Sequence, residues 1–208
     1  MKIRQLVLVS IASASVTGYC FSVIQEDTME KASNRLGRAV LNSDIDTIWS
    51  FVSENERAYY GLDKARFEQF WKTLIQPKFK GINTFQFEGA STNGLTIRLR
   101  NSNETSVSDK VFFLVSGQRG QYYVPYLIAY SSLAAAGRGS QWREAEKHIR
   151  YERYVNWLQS NKSTLERMGF QKIQRGPMMQ EGQSIDEMIQ DFKKASEHYK
   201  KQVSVAFR

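Results

Sequence analysis

The chain has 208 residues, with 29 Lys and Arg against 21 Asp and Glu, for a net charge of +8. Hydrophobic residues make up 41% and charged residues 24%, a globular balance that excludes collagen-like, disordered and polytopic membrane classes. A chain of this length buries a core without metal or disulfide staples. Its one cysteine, Cys20, leaves the rest without a disulfide framework, a thiolate nucleophile or a cysteine-based zinc site.

Lys2 and Arg4 precede an uncharged run from Leu6 to Ile24. A basic start, an apolar stretch and small residues form the layout of a secretory signal over residues 1–25. Candidate cleavage points follow Ala14 or Gly18. The run also has the roughly 20-residue length of a retained membrane anchor, although Ser10, Ser13, Ser15, Thr17 and Gly18 dilute its hydrophobicity. Tyr19 is too bulky to precede a lipidated Cys20. The other reading is an ordinary buried strand or helix. The expectation is export to a periplasmic or extracellular location, with the segment cleaved or kept as an anchor over 6–24. Export argues against nucleic acid as a partner. It leaves envelope polyanions or lipid head groups for the basic balance, beside plain solubility.

From Glu26 to Phe79 the pattern is helical. Met29, Ala32, Leu36, Ala39 and Val40 recur near 3.6 residues, as do Ile45, Ile48, Trp49 and Val52, with Ser43-Asp44 as a cap. Phe67, Phe70, Trp71, Leu74 and Ile75 form a third stripe, opened by Asp63 after Gly61 and closed by Pro77. Three short amphipathic helices follow.

At Gly81 the period changes to two. Phe85 and Phe87 alternate with polar neighbours, and Leu95, Ile97 and Leu99 alternate with Thr96, Arg98 and Arg100, so one face is buried and the other wet. Val107 to Ser116 is a third strand. After a hairpin turn at Gly117–Gly120, Gln121 to Ser132 is expected to return as a fourth, with a bulge or an edge at Pro125.

Ala134 to Ser140 is the expected boundary between a domain over 26–136 and a helical extension over 137–208. Trp142, Ala145, Ile149, Tyr151, Tyr154, Val155 and Leu158 restore a helical period that Gly169 ends. Ser184-Ile185-Asp186-Glu187 is a capping box opening a last helix.

The fold class is therefore α+β: N-terminal helices packed on a curved antiparallel four-strand sheet, with a helical extension. The stretch 36–80, in which Ala39 to Phe79 reads AVLNSDIDTIWSFVSENERAYYGLDKARFEQFWKTLIQPKF, resembles the helical opening of the nuclear-transport-factor-2-like superfamily. The hairpin Phe112 to Leu133 is similar to its closing strands. The likeness covers residues 28–133 and rests on layout; the helical tail departs from the minimal pattern. It implies a cone around an apolar cavity, lined by Trp49, Phe67, Trp71, Phe85, Phe87, Phe113, Tyr122 and Tyr126. Aromatic walls with a few polar groups suit a small apolar ligand, and the same rings equally make plain core.

Enzymes of that superfamily commonly use an Asp, His or Tyr inside the cone. Here the two histidines, His148 and His198, lie in the tail without ligand-spaced partners, and no metal or cofactor is expected. Asp109, or Glu88, with Tyr59, Tyr60, Tyr122 or Tyr126 is the conceivable acid–base site. Gly137-Arg138-Gly139-Ser140 matches neither phosphate-binding fingerprint and reads as a flexible boundary with a helix cap. Arg143, Lys147 and Arg150, and Lys193, Lys194, Lys200 and Lys201, are interleaved with acids and read as solvated faces, with a membrane-surface or partner-helix role as the sharper alternative. Asn103-Glu104-Thr105 and Asn161-Lys162-Ser163 match the glycosylation pattern by a short and common motif.

The expectation is an exported, non-catalytic binding or interaction module of the cell envelope, holding a small apolar ligand or a protein partner. The partner is an envelope protein or a second copy of the chain. The alternative is a cofactor-independent enzyme using Asp109 and a tyrosine.

Overall fold

A computed structural model describes residues 28–91, 94–102, 110–116, 121–137, 147–174 and 181–206. The leader-like segment, Phe113's side chain, Asp109, Arg138–Ser140, Trp142 and Arg143 lie outside the described residues.

Helix α1, Met29–Asn42, opens on Thr28, whose hydroxyl accepts from the Lys31 amide. It buries Ala32, Leu36, Ala39 and Val40, the stripe read from the sequence. It stops at Ser43, which turns left-handed at φ 55°, while the Asp44 amide donates back to the Ala39 carbonyl at 2.8 Å. Ser43 thus closes α1 and Asp44 alone opens α2, Ile45–Ser50, accepting from the Thr47 amide and hydroxyl at 3.1 and 2.6 Å.

A further helix, α3 (Glu54–Tyr60), separates α2 from α4 (Lys64–Phe70). Ser53 and Asp63 cap them, and Gly61, at φ 54°, turns the chain between them. Past Phe70 the helix widens into a π turn, Trp71–Ile75, then tightens to a 3-10 turn, Gln76–Lys78. Pro77 supplies no amide to continue an α-helical ladder. The wider turn lets Trp71, Leu74 and Ile75 all face inward.

The sheet is an antiparallel meander: β1 (Thr84–Ser91), β2 (Gly94–Arg100), β3 (Lys110–Ser116) and β4 (Tyr122–Tyr123). Phe85 pairs with Leu99, Phe87 with Ile97, and Ile97 with Phe112, so these side chains share one face. Gly37 of α1 comes close to that face; a Cβ there would lie 2.7 Å from the Phe85 ring. The other face is not simply wet: Arg98, expected in solvent, is only 6% exposed.

The fourth strand is far shorter than expected. After Tyr123 the chain pairs Val124 with residues 51–52, passes Pro125, and turns left-handed at Tyr126 (φ 54°). Leu127–Ala135 is then a helix, α5. Its residues are apolar or small on nearly every side, and such a buried run has no period to separate helix from strand.

Helix α6 (Lys147–Arg167) and helix α7 (Ile185–Ala206) form an antiparallel pair, joined through a two-residue ladder of β5 (Lys172–Ile173) and β6 (Gln183–Ser184). The capping box forms as read: the Ser184 amide donates to Glu187 at 2.8 Å and the Glu187 amide to Ser184 Oγ at 3.2 Å. Tyr151 stacks between Phe192 and Tyr199. One buried cluster runs from Ala32 through the sheet to Phe192, so the helical extension shares the core of the rest. Phe170 is a joint, packed on Tyr60 and Phe70 at 5.4 and 5.1 Å. Among the described residues no helix is long and apolar enough to cross a membrane.

Candidate functional site

The π turn and the end of α1 enclose an open cleft of about 420 Å³. Val40, Leu41 and Ser43 line one side, Gln76, Pro77, Gly81 and Ile82 the other, with Trp71 and Phe79 beneath. The floor is rigid. Trp71 meets Phe79 edge-on at 5.8 Å and Phe67 at 5.9 Å, and both Trp71 and Phe67 are buried. Gln76 Nε2 donates to Ser43 Oγ at 3.0 Å, tying the left-handed end of α1 to the 3-10 turn. Lys72 and Lys80 stand at the rim, Lys72 paired with Glu68 at 2.5 Å.

Among the described residues the lining contains neither a carboxylate nor an imidazole. What it offers is apolar surface from Leu41, Pro77 and Ile82, a hydroxyl and an amide, and two ammonium groups. That set binds and orients. π turns inside helices recur at functional sites because they displace a side chain from the regular helical surface.

Of the seven aromatic residues named from the sequence whose side chains are described, Trp71 alone lines this cleft. Trp49, half-buried, leans on Phe67 at 5.3 Å and carries the Arg57 guanidinium 4.1 Å above its ring. Phe85 and Phe87 touch each other at 5.8 Å on β1. Tyr122 and Tyr126 are half-buried against the core where the short fourth strand ends. The series Trp49, Phe67, Trp71, Phe79 and Phe112 is continuous, each ring within about 6 Å of the next.

The tyrosines near α3 are committed to the backbone. Tyr59 donates to the Glu181 carbonyl at 2.6 Å, and the Tyr60 hydroxyl accepts from the Gln174 amide at 2.9 Å. Burial raises the Tyr60 phenol far above its ordinary value, which keeps it neutral. His148 accepts through its carbonyl from Ser196 Oγ, and His198 bonds Gln202 within α7. No group of three metal-binding side chains occurs among the described residues.

Glu56 is the residue that sequence reasoning missed. It is 3% exposed, and its two carboxylate oxygens accept from the amides of Leu127 and Ile128 at 2.9 and 2.8 Å. Burial pushes its pKa up to about 7, against the downward pull of those two amides. Within Ser-Glu-Asn-Glu it looks like any acid in a first helical turn.

Comparison with known proteins gives no relative. No protein-family model, curated protein or solved structure matches the chain. The cleft therefore has to be read from its own chemistry.

Proposed function

We propose that the chain is an exported, non-catalytic binding module of the cell envelope, and that its ligand is a small, largely apolar molecule with an anionic end. The cleft beside the π turn carries this reading. Its volume of about 420 Å³ lies within the range of small-ligand sites, roughly 300–1,000 Å³. The apolar part of the ligand rests on Leu41, Pro77 and Ile82, and its charged end lies toward Lys80. The basic start and uncharged run at 1–25 support export. In this reading the segment at 6–24 stays as an anchor, and the cone-like superfamily likeness over 28–133 remains part of the proposal.

Native mass spectrometry of the protein from its own host's envelope fraction tests this. The expected result is a retained small molecule that is lost in Ile82→Trp, where the indole fills the cleft. An empty wild-type protein, homodimeric or bound to another protein, would replace the cleft with an interaction surface.

A further inference from the structure

The exposed edge of α1 was not singled out by any sequence motif. Lys31, Arg35, Arg38 and Asn42 are all exposed on it, at spacings of four, three and four residues. They form one stripe along roughly 16 Å of helix. With Asn34 beside them, and Asp44 and Thr47 at the far end, they line an open groove of about 490 Å³. Asp44, the groove's one acid among the described residues, is engaged, accepting from both the amide and the hydroxyl of Thr47. Glu30, exposed in the first turn of α1, is a further acid on this edge among the described residues, and Glu26 and Asp27 precede it in the sequence. Arg35 is steadied over the Phe51 ring at 5.1 Å.

Chain order decides what such a groove meets. The uncharged run ends at Ile24 and α1 begins at Met29. Five peptide steps of about 3.5 Å separate them by at most roughly 17 Å. The headgroup layer of a bilayer leaflet is roughly 6 Å thick, and charge is felt for about 8 Å beyond it at physiological salt. A stripe that starts this close to an anchor lies within reach of both.

We propose that the α1 stripe docks on an anionic phospholipid surface, with headgroup phosphates held by Lys31, Arg35 and Arg38. The inference rests on the anchored form of the export reading above. Guanidinium groups suit phosphate because their planar fork donates two parallel hydrogen bonds, and side by side in a groove they bind headgroups rather than only crowding them.

Flotation of the full chain with two kinds of vesicle tests it: phosphatidylcholine alone, and equal parts phosphatidylcholine and phosphatidylglycerol. The wild type is expected to favour the anionic vesicles. Lys31→Gln/Arg38→Gln is expected to lower that preference for anionic over neutral vesicles roughly 25-fold, on about fivefold for each basic residue near the surface. Arg167→Gln/Lys172→Gln, exposed at the end of α6 and on β5, removes the same charge elsewhere and is expected to leave it unchanged. Equal binding to both vesicles would overturn the stripe and leave the anchor. Binding to anionic vesicles alone would keep the stripe and remove the anchor. Binding to neither, or equal loss in the two double variants, would overturn the proposal.

Discussion

Glu56 on α3 and Ile128 on α5, 72 residues apart, meet at 2.8 Å, carboxylate oxygen to backbone amide. The second oxygen takes Leu127 in the same way. Helix α5 needs this. Its N-cap, Tyr126, offers no side-chain hydrogen bond, and its first turn is buried, so water cannot satisfy the free amides that every helix start exposes. A carboxylate at a helix N-terminus also meets the positive end of the helix dipole.

The first prediction concerns pH. The Glu56 carboxyl rises from 4.5 to about 7 on folding, so between those values the unfolded chain releases a proton that the folded one keeps. Stability from this group is therefore complete below pH 4.5 and is lost as pH rises through 7. The shift corresponds to about 3 kcal/mol. Urea unfolding at pH 5 and pH 8 is expected to show a loss of that order in the wild type. Glu56→Gln, which cannot ionise, is expected to lack that component; an identical pH profile in both proteins would refute it.

A second prediction follows from Arg66. Its guanidinium donates to the carbonyls of Tyr60, Gly61 and Met168, and lies 5.0 Å over the Phe170 ring. It closes the ends of α3 and α6 together. Arg66→Ala is expected to cost about 2–3 kcal/mol, from charged hydrogen bonds lost to carbonyls of which two are part-buried. Arg66→Lys is expected to recover less than half, because an ammonium lacks the planar fork. Gly169, at φ 80°, packs directly under that guanidinium, so Gly169→Ala combines left-handed backbone strain with a clash. Thermal unfolding of the three variants decides.

The third addresses the tail. Phe170 is fully buried and touches Tyr60 and Phe70. Phe170→Ala is expected to cost about 3–5 kcal/mol, as large-to-small changes at packed aromatic sites do. Hydrogen exchange should then accelerate in α3 and α4 as well as in α6 and α7. Acceleration confined to the last two would mean that the tail is a separate cooperative unit.

The α+β order, the apolar stripe of α1, the caps at Asp44 and Asp63, the stop at Gly169 and the Ser184–Glu187 box are readable from the sequence. Each depends on residues within about four positions of one another, which is the range of helical and capping interactions. Helix α5 was hidden because Leu127 to Ala135 is uniformly apolar or small, and only the left-handed Tyr126 and the distant Glu56 mark its start. The cleft was hidden for a related reason: Trp71 is visible as a core residue, but the π turn that brings it beneath Leu41 and Ile82 appears only once Pro77 and Ser43 have been placed.

Sequence by itself determined the periodic helices, the first three strands and the charge pattern, because periodicity and capping are short-range. Tertiary structure alone decided the Glu56–Ile128 cap, the Arg66–Met168 tie across 102 residues and the insertion of Phe170 between α3 and α4. Such contacts join groups whose own neighbourhoods are unremarkable, and only burial, by removing water as a competing partner, makes them obligatory.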